Sequence, residues 1–159
     1  MVVTLRHFTP EEANTALEHV RPLVAQMVER RRAHVAALAQ QEALEARIRG
    51  NGGGIPPAVL ADATAAVERE ARALAHAVDA INEHGAQVKD VDEGLIDFPA
   101  LHAGETVLLC WKLGEGEIGF WHRVEDGFAG RRPVEEPADD LHPPQAGRPR
   151  GHVPRSCHE

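Results

Sequence analysis

The first half of the chain carries apolar residues at the three- and four-residue spacing of an amphipathic helix. They recur from Leu17 to Ile48 and stop at the glycine-rich stretch 50–54. This pattern predicts a long helix over about residues 10–49. Pro22 lies inside it, and we expect a kink there because the proline ring removes one backbone hydrogen bond.

The start of this helix is marked by three residues. Thr9 and Glu12 have the spacing of a capping box, in which each side chain binds the backbone amide of the other residue. Pro10 fills the first helical position, where no amide is needed. The sequence therefore predicts the beginning of the helix more sharply than its end.

A second stripe of mainly apolar residues runs from Leu60 to Ile81 in alternating steps of four and three, which is the seam of a coiled coil. It predicts a helix over about residues 57–84, with Gly85 as its C-cap. A short connection between two long helices requires them to be antiparallel neighbours. We therefore expect a long, coiled-coil-like helical hairpin.

The pattern changes to a period of two after residue 86. Strand-forming residues concentrate at 107–111 and 118–122, on either side of a glycine-containing turn at 114–117. This predicts a β-hairpin within an element spanning about residues 86–131, and hence a mainly α (α+β) fold. Five of the six aromatic residues fall here and predict an aromatic-rich β element: Phe98, Trp111, Phe120, Trp121 and Phe128.

Residues 134–159 have a different composition, rich in proline, glycine and charge, with few apolar residues to bury. We expect this tail to be disordered. Residues 1–133 are long enough for one core and too short for two stable ones, which predicts a single domain.

Composition and charge narrow the functional classes. The formal net charge of −8 disfavours binding to nucleic acid. The two cysteines, Cys110 and Cys157, show neither CxxC spacing nor a disulfide framework. The first residues contain too few apolar positions for a signal peptide or a membrane span, so a cytoplasmic protein without membrane contact is expected.

Several segments together resemble a bacterial family known as domain of unknown function 2203. The segments are FTPEEAN (8–14), GLIDFPA (94–100), LCW (109–111), EIGFWH (117–122) and GFAGRRP (127–133). The resemblance covers roughly residues 5–133. It supports the pairing of helices with an aromatic β element, and it implies no particular activity.

Polar residues among the apolar neighbours of the β element form one candidate site: Asp97, Cys110, Glu117, His122 and Arg131. Each costs about 1–3 kcal/mol if it is buried without a partner, so partners are expected. Asp97 is a natural carboxylate partner for His122. Thiolate, imidazole and carboxylate also bind zinc or iron, which makes His122, Asp97 and Cys110 candidate metal ligands.

The register of the predicted hairpin decides whether the thiol and the imidazole can meet. If Leu113 pairs with Ile118, Cys110 and His122 lie on opposite faces of the hairpin. A three-residue turn at 115–117 would instead place them directly opposite each other, but it requires a left-handed conformation at Glu117. Turn geometry favours the first register.

Two interpretations of the candidate site follow. Asp97, His122 and Arg131 can form a buried network that fixes the β element on the helices, which is the favoured interpretation. Alternatively, His122 oriented by Asp97 can serve as a general base or a metal ligand.

At the level of function, three hypotheses remain. The preferred one is a binding or interaction protein that self-associates, as a dimer, or meets a protein partner through its helices. The second is a small metalloprotein or metalloenzyme that uses His122 with Asp97, Glu117 or Cys110. The third, a nucleic-acid-linked regulator, is disfavoured by charge.

Overall fold

The computed structural model describes residues 5–51 and 54–134 and shows two helices followed by an antiparallel sheet. The predicted α+β class is confirmed, but five strands stand where a hairpin was predicted. The helices are α1 (Pro10–Asn51) and α2 (Pro57–Glu83). The strands are β1 (Gln87–Asp90), β2 (Leu95–His102), β3 (Glu105–Lys112), β4 (Phe120–Arg123) and β5 (Arg132–Pro133). Apart from Val134, the predicted disordered tail lies outside the described residues.

The predicted start of α1 is confirmed in detail. The Glu12 amide donates to the Thr9 hydroxyl at 3.1 Å, and the Thr9 amide donates to the Glu12 carboxylate at 3.3 Å. These reciprocal bonds satisfy two amides that the first turn leaves free. The helix continues through Pro22 as one element.

The two helices run antiparallel along each other. The rings of His19 and His84 stack with their centroids 6.0 Å apart, near the start of α1 and the end of α2. Towards the other end, the Gln41 amide donates to the Thr64 hydroxyl at 3.0 Å. The start of α1 therefore lies beside the end of α2, and the later part of α1 lies beside the beginning of α2.

The sheet is a meander in which each strand pairs with the next one. Strand β2 was not predicted, because Asp97 and Pro99 interrupt its apolar pattern. Pro99 is tolerated because β1 pairs with β2 only as far as Asp97, so the missing amide of Pro99 meets no neighbouring strand on that side. Its carbonyl accepts the Phe8 amide at 2.7 Å, which attaches the segment before α1 to the sheet.

One face of the sheet packs against the helices and forms the core. Alternate residues of β2 and β3 point to this face, as the period of two requires. The buried core residues include Ile96, Phe98, Leu109 and Trp111 from the sheet, with Leu17, Val20, Val24 and Met27 from α1. Odd-numbered residues of β2 and even-numbered residues of β3 therefore lie on the opposite face.

The predicted register between β3 and β4 is wrong. Cys110 pairs with Phe120 and Leu108 pairs with His122, which matches neither of the two registers considered from the sequence. The connection is longer than a tight turn because helix α1 holds it: the Ile118 amide donates to the Asn14 side chain at 2.8 Å. As a result, Cys110 and His122 share a face, where the favoured register had separated them.

The aromatic residues of the β region do not form the single cluster that the sequence suggested. Phe98 packs edge-to-face on Phe8, with ring centroids 5.2 Å apart, and Trp111 is fully buried against the helices. Trp121 lies against His102 at 5.3 Å. Phe120 and Phe128 instead contact the guanidinium of Arg131, so the rings are divided among separate surroundings.

Candidate functional site

Three polar side chains from three neighbouring strands meet on the sheet face opposite the helices. Asp97 of β2 pairs directly with Cys110 of β3, and His122 of β4 lies one diagonal step from Cys110. Their ligand atoms all lie within 4.8 Å of one another, and all three side chains are buried. We call these residues the polar trio.

His122 is held by hydrogen bonds at both ring nitrogens. Nδ1 lies 2.7 Å from the carbonyl oxygen of Arg123, and because a carbonyl can only accept, Nδ1 carries a proton. Nε2 lies 3.2 and 3.3 Å from the two carboxylate oxygens of Asp97. The predicted pairing of Asp97 with His122 is therefore confirmed, and the ring is fixed in one orientation.

Cys110 is a buried thiol beside an acid. Burial, the neighbouring charge of Asp97 and hydrogen bonding of the thiol to that carboxylate raise the pKa of Cys110 from 9.0 to about 12. The nearby guanidinium of Arg131 opposes this shift in pKa. Without a bound cation the thiol is neutral and a poor nucleophile at neutral pH.

Arg131 lies close to the trio but binds a different partner from the predicted one. Its guanidinium forms an ion pair with Glu115, with N–O distances of 2.7 and 2.8 Å, and lies over the rings of Phe120 and Phe128. The predicted network of Asp97, His122 and Arg131 is thus only partly formed. Glu115 was missed because nothing local distinguishes it from the nearby Glu117.

Glu117, the remaining predicted site residue, is exposed in the connection between β3 and β4 and lies outside the trio. The connection turns towards α1, which carries Glu117 away from the opposite sheet face. It is not a member of the site.

A small cavity of about 170 Å³ opens beside the trio. Asp97 and His122 line it, together with residues that include Lys89, Val124 and Phe128. The trio is therefore buried, and the cavity is the free space next to its Asp97 and His122.

Fold and site together define an α+β protein in which an antiparallel helical pair packs on one face of a five-stranded sheet and an Asp–Cys–His trio is buried on the other. The chain belongs to the family described as "Uncharacterized conserved protein (DUF2203)", whose model matches residues 6–134. This confirms the resemblance found in the sequence. Comparison with curated proteins and with solved structures gave no match. Neither described helix has an apolar stretch long enough to cross a membrane.

Proposed function

We propose that this protein is a metalloprotein in which Asp97, Cys110 and His122 bind one divalent transition-metal ion, zinc or iron. The supporting observation is the contact between His122 and Asp97. Since Nδ1 of His122 faces the carbonyl of Arg123, Nε2 is the ring nitrogen that faces the carboxylate oxygens of Asp97, 3.2 and 3.3 Å away. Two acceptors at this distance attract each other only through a cation, either a proton or a metal ion.

The geometry suits a metal ion of this kind. Ligands of a tetrahedral zinc ion at about 2.0–2.1 Å from the metal lie roughly 3.3–3.4 Å from each other. The separations of 3.2 and 3.3 Å between Nε2 and the carboxylate oxygens are close to this value. The bond from Nδ1 to the Arg123 carbonyl is the support that metal-binding histidines commonly have.

The charges also fit a divalent cation. A carboxylate and a thiolate together carry two negative charges, which match those of the ion, while imidazole remains neutral. A bound metal ion would replace the proton on Cys110, so metal binding releases a proton and strengthens as the pH rises.

Three protein ligands leave the fourth position of a tetrahedral ion free, as in catalytic zinc sites. The cavity of about 170 Å³ beside Asp97 and His122 provides room for a water molecule there. A metal-bound water has its pKa lowered towards about 7 and becomes a nucleophile at neutral pH. The proposed chemistry is therefore hydrolysis or hydration of a small molecule.

The test is titration of untagged, chelator-treated protein with Co²⁺, which replaces zinc and reports its ligands by absorption. The background variant Cys157→Ser leaves Cys110 as the sole thiol. We expect one ion per chain and a thiolate-to-cobalt charge-transfer band in the near ultraviolet. Cys110→Ser, which preserves the shape of the side chain, should remove the band and weaken binding about tenfold or more.

The matched control is His102→Ala, a half-buried histidine of β2 outside the trio. It should leave both the band and the stoichiometry unchanged, while His122→Ala should abolish binding. Circular dichroism confirms that each variant is folded. Cobalt binding without a charge-transfer band, or equal binding by the Cys110→Ser variant, would overturn the proposal, and the trio would then be a hydrogen-bonded structural network.

Self-association through the helices is a second candidate, favoured by one observation. After Val28 no described side chain of α1 is buried, and Val35 and Val59 are 46% and 41% exposed. We call residues 29–50 of α1 and 57–76 of α2 the outer arm. Two helices alone leave part of each apolar stripe uncovered, and a second copy packed as a coiled-coil-like four-helix bundle would cover it.

A further inference from the structure

Lys89, in the cavity beside the polar trio, is a charged side chain that the proposed metal site does not use. It lines this cavity together with Asp97 and His122. Asp97 and His122 are buried, whereas Lys89, Val124 and Phe128 are exposed, so the cavity leads from the surface to the trio. A ligand in the cavity would meet both the ammonium group of Lys89 and the proposed metal ion.

The backbone of β1 directs Lys89 to this side of the sheet. Gln87 of β1 pairs with Asp97, so both lie on the face of the trio, and Lys89 follows two residues later. The pairing of β1 with β2 shifts between Val88 and Asp90, which makes Lys89 the extra residue of a β-bulge. Bulges next to binding sites re-aim a side chain, and here the re-aimed side chain is the one that lines the cavity.

The charge of Lys89 is not balanced by a neighbouring side chain. Within the described ranges 5–51 and 54–134, its ammonium group forms no ion pair. Other basic side chains near the site are paired: Lys112 with Glu93 at 2.8 Å and Arg131 with Glu115 at 2.7 Å. The charge of Lys89 is therefore available to a ligand.

The carboxylates near the cavity leave this charge in place. Asp90 lines a neighbouring cavity and accepts the amides of Asp92 and Glu93 at 2.8 and 3.0 Å, in the turn after β1. Glu125 and Asp126 are exposed and do not line the cavity of the trio. A divalent ion bound by one carboxylate and one thiolate is neutral overall, so a metal-loaded cavity keeps the single positive charge of Lys89.

We propose that the substrate of the metal site is a small molecule that carries one negative charge on a short apolar skeleton, with its anionic group bound by Lys89. The apolar part contacts the remaining side chains of the cavity, among them Leu95, Leu108 and Phe128. The volume of about 170 Å³ limits the substrate to a few non-hydrogen atoms, because drug-sized ligands occupy larger cavities. This inference rests on the proposed function and names its substrate class.

Propionate and propionamide test the inference, because they have the same shape and differ in charge. Each is titrated into cobalt-loaded protein in the Cys157→Ser background while proton NMR follows the relaxation of the ligand methyl group. Paramagnetic Co²⁺ accelerates this relaxation only at close range, and zinc-loaded protein is the diamagnetic reference. We expect saturable acceleration by propionate, with an affinity about fivefold or more above that for propionamide.

Three variants assign the selectivity to Lys89. Lys89→Met removes the charge, keeps the aliphatic part of the side chain and should weaken propionate binding about fivefold. Lys89→Arg keeps the charge and should retain most of the affinity. Arg47→Met, at an exposed position of the outer arm, changes the net charge equally and should leave propionate binding unchanged.

The charge-transfer band of cobalt separates the two ways in which the test can fail. A parent protein without the band would overturn the proposed metal site and this inference with it. With the band present, three results would each overturn the substrate class alone: no acceleration by propionate, equal affinities for propionate and propionamide, or a loss of affinity in Lys89→Met no larger than that in Arg47→Met.

Discussion

Cys110 illustrates how burial and a neighbouring acid together keep a thiol protonated. Its pKa of about 12 in the folded protein compares with 9.0 for a free thiol. Below pH 9 the folded and unfolded chains are both protonated at this group. Between pH 9 and 12 the unfolded chain releases the proton and the folded chain keeps it, so this contribution to stability falls as the pH rises.

The fall of this contribution with rising pH gives a prediction for metal-free protein in the Cys157→Ser background. The free energy of unfolding, measured by urea denaturation from about pH 8 to about pH 10, should fall less steeply in Cys110→Ala than in the parent. The hydrogen bond to Glu93 also raises the pKa of Lys112. The contribution of this pair to the free energy of unfolding therefore falls as the pH rises, as that of Cys110 does. Glu93→Gln serves as the comparison, because it removes the lysine contribution and keeps that of Cys110. Equal slopes for Cys110→Ala and the parent would contradict the assignment.

At the same scale, the sequence predicted the members of the site better than their arrangement. The pairing of Asp97 with His122 followed from their chemistry, since a buried imidazole needs a partner. The position of Cys110 depended on strand register, and a shift of one residue moves a side chain to the other face. The segment that leads into β4 is held by the hydrogen bond between Ile118 and Asn14, two residues that are 104 positions apart in the sequence. A local sequence pattern contains no information about such a distant contact.

The turn between β1 and β2 contains a glycine, Gly94, that is closely surrounded by side chains. Gly94 has φ of +70°, and a Cβ there would lie 2.8 Å from Cβ of Leu113 and 3.1 Å from the side chain of Val24. Gly104, in the turn between β2 and β3, has φ of +80° with no atom within 4 Å of such a Cβ. The two positions share the left-handed backbone and differ in the space around them.

We therefore expect Gly94→Ala to lower the free energy of unfolding by about 1–3 kcal/mol more than Gly104→Ala, because overpacking adds to the backbone cost. Urea denaturation of both variants gives the difference directly. Similar losses in the two variants would mean that α1 and the connection after β3 can move apart without cost.

The helices were predictable as elements, and the sheet largely was not. Helix α1 is specified by signals within a few residues of each other, such as the bonds between Thr9 and Glu12. Strands β1 and β5 are only four and two residues long and exist because they pair with neighbours. Strand β2 contains a proline that is acceptable only because β1 ends before it.

For the whole molecule, the outer arm predicts self-association. Val35→Glu places a charge in the exposed part of its apolar stripe and should convert an oligomer to a monomer, as measured by light scattering after size-exclusion chromatography. Val124→Glu is the control, because Val124 is 57% exposed on the sheet side of the molecule. A monomeric parent protein, or the same change in both variants, would contradict association through the arm.

The last residue of α1 with a hydrogen bond to the sheet region is Arg31, whose guanidinium donates to Asp92 in the turn between β1 and β2 at 2.8 Å. Farther out, the described hydrogen bond of α1 to another element joins it to α2, from Gln41 to Thr64, and residues 32–50 span about 29 Å. Removing an equal number of whole turns from both helices would thus shorten the outer arm and leave the polar trio unchanged. The length of the arm can therefore be changed separately from the polar trio.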